Sequence, residues 1–244
     1  MRFPSKSLVV FFAVAPSMAQ EKVMVPVTID GSSVRLEMVV HKPATSGPAP
    51  TLVFHHGSTG SGRDPRAFTQ TWNPAALTRH FVERGWAVVL PSRRGRGGSD
   101  GFYDEGFSAD RSFGYACQPR LSLPGAERAL KDIDAATDAI LAMPFVDRAR
   151  LLVGGQSRGG ILSVAWAGMR PGRARGVVNF VGGWVGARCS SAVEINGTLF
   201  RRGAAHPGET AWLYGDNDPF YPLAHSEANF AAFQAAGGKG RFHR

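Results

Sequence analysis

Along the chain, short apolar runs of strand character alternate with longer segments whose apolar residues recur at helical spacing. Glu21 to Ile29 and Val34 to Val40 are strand-like and flank Asp30-Gly31, a dipeptide suited to a two-residue hairpin turn. Lys42 to Pro50 is a Pro, Ser and Gly connection. Thr51 to His55 reads as a short buried strand that runs into a glycine- and serine-rich loop, His56 to Gly62. Pro74 to Glu83 reads as a helix ended by Gly85, and Trp86 to Leu90 as the next strand. From Pro124 to Met143 the spacing predicts a helix with Leu130, Ile133, Thr137, Ile140 and Leu141 on one stripe. A strand at Arg150 to Gly154, a tight turn and a helix at Ile161 to Met169 follow. Gly176 to Val181 and Ala211 to Tyr214 read as strands, Ser226 to Ala236 as a helix stopped by Gly237-Gly238, and Arg241 to Arg244 as the start of a last strand. This order implies an α/β domain, a mostly parallel sheet with helices on both faces and an N-terminal antiparallel hairpin.

The first stretch does not fit that alternation. Arg2 and Lys6 precede the apolar run Leu8 to Ala15, and Ser17-Met18-Ala19 is a small-x-small site, so residues 1–19 read as a secretory signal peptide cut before Gln20. The expectation is an exported protein, periplasmic or secreted, with residues 20–244 as one domain. No later stretch reaches the length of a membrane span. Composition narrows the classes further: 43% apolar residues in a chain of 244 supply one sizeable core. The formal charge of +9 is mostly scattered arginine, with one cluster at Arg93, Arg94 and Arg96. Export and the lack of interleaved aromatics argue against nucleic acid as a partner. Two cysteines, Cys117 and Cys189, are too few for a disulfide framework and lack metal-ligand spacing.

The chemistry concentrates in Gly155-Gln156-Ser157-Arg158-Gly159, a Gly-x-Ser-x-Gly pattern between a strand and a helix, which is the context of a nucleophile elbow. Gly97-Gly98-Ser99-Asp100-Gly101 matches the same pattern, but no helix follows it, and Ser99 reads as a loop serine. Loops after the strands of such a sheet gather at one edge, where ligands bind. There the N–H groups of Ser58 and Arg158 would form an oxyanion hole, and Gly215-Asp216-Asn217-Asp218 would carry an acid able to orient a histidine. Arg93, Arg94 and Arg96 reach the same edge, so either at least one attracts an anionic acyl group or all three serve packing and ion pairs.

These motifs resemble the α/β-hydrolase superfamily, and most closely its dienelactone hydrolase and prolyl-oligopeptidase-like branch. The resemblance rests on His56-Gly57, on Pro91 to Gly97, on the elbow, and on Gly215 to Asp218. It implies an α/β-hydrolase fold with Ser157 as nucleophile, Asp218 as the acid, and no metal or organic cofactor. The branch's dienelactone hydrolases use cysteine where this chain has Ser157, which sets that lactone chemistry in question. Chain order Ser, acid, His leaves His225 and His243 after Asp218. His225 approaches a helix and reads as a surface residue. His243 is the formal candidate, although in the superfamily the histidine lies in the loop beyond the last strand, so the chain is expected to lack a C-terminal segment. The implied activity is hydrolysis of small-molecule carboxylic esters through an acyl-serine. The alternatives are a serine peptidase acting on short peptides and a hydrolase-fold binding protein without turnover. Superfamily strand order also puts two strands between the loops bearing Cys117 and Cys189, a gap such loops can cross, so either a disulfide straps them over the site or both cysteines remain free.

Overall fold

The computed structural model describes residues 19–244, so the proposed signal sequence lies outside the described residues apart from Ala19. The hairpin comes first: β1 (Ala19–Ile29) and β2 (Ser32–Lys42) pair antiparallel around Asp30-Gly31, both at positive φ. β3 (Ala49–His55), α1 (Ala75–Val82) and β4 (Ala87–Pro91) form the first parallel β-α-β unit, followed by the long helix α2 (Pro119–Leu141). β5 (Val146–Gln156), α3 (Arg158–Met169), β6 (Gly176–Phe180), α4 (Ala192–Gly203), β7 (Glu209–Leu213), α5 (Leu223–Ala235) and β8 (Gly240–His243) complete the order. The eight strands lie in the order β1-β2-β4-β3-β5-β6-β7-β8. β2 meets β4 antiparallel, and every pairing from β4 through β8 is parallel. The chain steps outward from β3 to β4 and then returns past β3 to β5, and this reversal of strand order makes a switch point between β3 and β5, where a crevice opens at the carboxyl ends of the strands.

Alternation along the central strands divides the core. Val53, Val89, Val153 and Val177 point toward α2, α3, α4 and α5, whereas Leu52, Phe54, Val88 and Leu90 point toward α1. α3 is apolar all round, and the pattern follows its position: Arg158 through Gly168 are buried between the sheet and α4. No helix among the described residues is long and apolar enough to cross a membrane.

Two elements depart furthest from the sequence reading. α2 begins at Pro119 rather than Pro124, because Pro119 itself occupies the first helical turn, where a missing N–H costs nothing. α4 has no counterpart in the sequence reading, although Ala192, Ile195, Asn196, Leu199 and Phe200 are buried at helical spacing.

Candidate active site

Ser157 stands between β5 and α3 at φ 54° and ψ −120°, a conformation that costs a non-glycine residue about 1–3 kcal/mol and persists only where its surroundings enforce it. The enforcement is visible on both sides. Its N–H donates to Phe180 O at 2.9 Å, and its carbonyl accepts from the amides of Gly160 and Gly183. The flanking glycines are required by close approach. A Cβ on Gly155 would lie 2.3 Å from the carbonyl carbon of Gly159, and one on Gly159 would lie 2.1 Å from His55 O. Ser99, in the second Gly-x-Ser-x-Gly pattern, has no such setting: it is buried, donating to Ser92 O and accepting from Glu37 N, each at 2.8 Å.

A cavity of about 530 Å³ opens over Ser157. Ser58, Arg158 and Asp218 line it with Ser157, so four of the five site residues expected from sequence share one space. Among the described residues, the N–H groups of Ser58 and Arg158 enter no hydrogen bond. Gly57 passes so close that a Cβ there would lie 3.1 Å from Ser157 Cβ. Asp218 Oδ1 accepts from the amides of Phe220 and Tyr221, both at 2.8 Å, which fixes the carboxylate at the start of its loop.

The fifth residue is elsewhere. His243 ends β8 opposite Leu213, is exposed, and lines a separate shallow groove with Leu152, Gly176, Val178, Ala211 and Arg241 on the sheet face that α1 leaves open. The structure therefore does not bring His243 to Ser157. His225 is a second correction. It is half-buried rather than a surface residue, and its Nε2 lies 3.2 Å from Nδ2 of both Asn196 and Asn229. The histidine that does line the cavity is His56, and both its nitrogens are engaged, Nδ1 with Gly57 O and Nε2 with the amide of Arg93. Burial, with Arg93 nearby, holds its imidazole neutral well below the usual histidine range.

Sequence reasoning missed two contributors. Tyr221 is buried, with Oη 3.2 Å from Ser157 Oγ. Its hydroxyl donates to Gly183 O at 2.7 Å, so Ser157 supplies the proton of the bond between the two side chains. Glu105, also buried, lies under both arms of the expected oxyanion hole. Arg93 pairs with it while donating from Nη1 to His56 O at 3.0 Å. Arg158 lies 3.7 Å from Glu105 Oε2 and donates to Glu105 O at 2.7 Å, its guanidinium held between the rings of Tyr115 and Trp184. Burial would raise the Glu105 pKa, but Arg93 and then Arg158 outweigh it and hold the carboxyl below its ordinary value. Neither signal was legible, since both depend on a loop folding back over 12 residues or more.

Of the three clustered arginines, Arg93 and Arg94 are tied up in ion pairs, with Glu105 and Asp132. Arg96 alone of the three lines the cavity. Cys117 and Cys189 form a disulfide with a Cα–Cα separation of 5.5 Å, and both border the cavity.

The fold has parallels among solved structures. Est1E from Butyrivibrio proteoclasticus, solved with ferulic acid, superposes with a TM-score of 0.63 at 16% identity, over 90% of this chain and 88% of that one. Acetyl xylan esterase 1 from Thermoanaerobacterium sp. JW/SL YS485 gives 0.58 at 19% identity, over 93% and 80%. The acylaminoacyl peptidase of Pyrococcus horikoshii gives 0.63 at 14% identity, over 93% of this chain and 37% of that one. The fold is the α/β-hydrolase fold. Within it, residues 30–117 match the family model of X-Pro dipeptidyl-peptidase (S15 family). No curated protein matches by sequence. In α/β-hydrolase terms, the cavity lies at the carboxyl ends of β3, β5 and β7, over the elbow.

Proposed function

We propose that this protein is a serine hydrolase that cleaves carboxylic esters of small molecules by acyl transfer to water. The observation that carries the proposal is the strained turn at Ser157, with two unused N–H groups and a fixed carboxylate facing the same cavity. Ser157 Oγ attacks the ester carbonyl, and the N–H groups of Ser58 and Arg158 receive the oxyanion of the tetrahedral intermediate. Collapse expels the alcohol, and water releases the acid from Ser157 in a second addition. Asp218 orients the histidine that takes the Ser157 proton. His243 is the candidate in hand, since β8 brings it to the strand end beside the Asp218 loop, where the amide of Tyr214 donates to its carbonyl. Its imidazole has to leave the open sheet face to act. Export through the proposed signal sequence, with Gln20 as the mature N-terminus, completes the reading and agrees with the disulfide.

The experiment is labelling with a fluorophosphonate and hydrolysis of 4-nitrophenyl butyrate by the chain, by Ser157→Ala and by His243→Ala. Labelling and turnover lost in both variants support Ser157 and His243 together. Labelling lost in Ser157→Ala alone excludes His243 as the base. Wild-type protein that neither labels nor turns over leaves a hydrolase-fold binding protein, a reading favoured by the engagement of both His56 nitrogens. The match of residues 30–117 to the X-Pro dipeptidyl-peptidase model favours a second enzymatic reading, a peptidase acting on short peptides. Faster release of nitroaniline from Gly-Pro-nitroanilide than of nitrophenol from the ester would select it.

A further inference from the structure

Three buried guanidinium groups and one buried carboxylate meet beneath the cavity. Arg93, Arg158 and Arg96 all lower the Glu105 pKa, and the first two are its ion-pair partners. Arg96 is not. It is only 5% exposed, makes no ion pair among the described residues, and its Nε has no partner. Its Nη1 makes a long 3.4 Å hydrogen bond to Gly57 O, and its guanidinium lies 5.2 Å from the centre of the Tyr103 ring. A buried cation without a counter-ion is an expensive arrangement to keep unless an anion comes to pair with it. Arg96 lines the cavity, and Gly57 ties it to the loop that carries the Ser58 amide. Arg63 and Arg188 line the same space, exposed and without an ion pair among the described residues, of which Asp218 is the one that brings a carboxylate to the cavity.

We propose that the substrate carries an anionic group, such as a carboxylate, that becomes the counter-ion of Arg96, with Arg63 and Arg188 adding positive potential at the rim. This rests on the ester-hydrolase reading and narrows it to a substrate class. A guanidinium so near Gly57 also strengthens the field at the oxyanion, but that effect acts on neutral and anionic esters alike. Selection between them is the property that separates a binding role from a general one.

The full chain is assayed with two matched ester pairs at low and high salt. 4-Nitrophenyl pentanoate against 4-nitrophenyl hydrogen glutarate puts the charge in the acyl half, and phenyl butyrate against 4-carboxyphenyl butyrate puts it in the alcohol half. In one pair the anionic ester is expected to have a kcat/KM about tenfold higher, an advantage that shrinks as salt rises. Arg96→Gln is expected to lower that ratio about tenfold, and Arg96→Lys to retain part of it. If Arg96→Gln does not accumulate as folded protein, Arg96→Lys and the double variant Arg63→Gln, Arg188→Gln are read by the same ratio. A ratio near one in both pairs, or one that these changes leave untouched, overturns the proposal. If no ester is turned over, the hydrolase reading fails by itself, and calorimetry with glutarate and with 4-hydroxybenzoate decides the anion site. Saturable binding weakened about tenfold by Arg96→Gln or Arg96→Lys sustains the site, and absence of binding overturns it.

Discussion

The phenol oxygen of Tyr221 accepts the hydroxyl proton of Ser157 across 3.2 Å, while the amide of the same tyrosine donates to Asp218 at 2.8 Å. One residue thus ties the nucleophile to the acid. Burial pushes the Tyr221 phenol up, so it stays neutral and orients Ser157 without accepting its proton for good. Tyr221→Phe is expected to change kcat/KM for a neutral ester by less than about tenfold and to cost about 1 kcal/mol of stability through the unpaired Gly183 carbonyl. A loss as deep as that of Ser157→Ala would instead make Tyr221 a proton acceptor; steady-state kinetics and urea titration read both.

Ser99→Ala should separate structure from chemistry. Ser99 bridges Glu37 N and Ser92 O in the interior, so its loss leaves both short of a partner and should cost about 1–3 kcal/mol while most ester hydrolysis survives. Urea titration and the 4-nitrophenyl butyrate assay check this, and equal loss of activity in Ser99→Ala and Ser157→Ala would contradict the assignment of Ser157.

Glu105→Gln removes the charge that two buried arginines share. Breaking a buried pair by taking one partner typically costs about 3–5 kcal/mol, and here the two guanidinium groups hold the two oxyanion arms. Denaturant midpoints should fall accordingly, with kcat falling more than KM changes. Glu105→Asp should recover part of kcat.

Much of the scaffold was legible because its elements are long or strongly patterned. The hairpin was marked by Asp30-Gly31, and the elbow by a strand and a helix on either side of Ser157. Side chains brought in by irregular loops were not legible. Glu105 and Tyr221 sit in segments with no periodicity, and their roles arise from where those loops land. The arginine cluster divided for the same reason: Arg93 and Arg94 found carboxylates at Glu105 and Asp132, from a loop and a helix that sequence spacing does not relate to them. α4 differs, since its apolar stripe is present in the sequence but is interrupted by the polar Asn196, Gly197 and Thr198.

The disulfide is expected to matter to both stability and the cavity wall. Removing the bridge as Cys117→Ser with Cys189→Ser should cost about 2–4 kcal/mol. The loop bearing Cys189 is joined to the acid loop by the amide of Ala187, which donates to Phe220 O at 2.8 Å. KM should therefore rise in the double variant, measured beside its melting temperature.

Acid should destabilise the fold once the pH falls below the ordinary histidine range. His55 is buried with neither ring nitrogen hydrogen-bonded, and burial followed by the Arg93 charge lowers its pKa to about 3. The unfolded chain takes up a proton there below about pH 6.5 and the folded one does not, so this stabilisation is complete above that pH and is lost as pH falls toward 3. His56 shifts in the same direction. Unfolding free energy should decline by up to about 1.4 kcal/mol per pH unit for each of the two below pH 6; an unchanged denaturant midpoint between pH 7 and pH 5 would exclude it.

The Glu105 junction also bears on the order in which the molecule acquires its activity. Its two arginines come from the β4 loop and the β5–α3 elbow, and Glu105 from a long connection whose only regular structure among the described residues before α2 is one 3-10 turn, Arg111–Phe113, and a single bridge, Phe107 to Tyr115. The sheet can pair and its helices dock while that segment is still searching, yet the arms above Ser157 have no fixed spacing until it arrives. Competence for catalysis is therefore expected late in folding: during refolding, ester hydrolysis should return after far-ultraviolet circular dichroism has recovered, and on gentle warming it should vanish first.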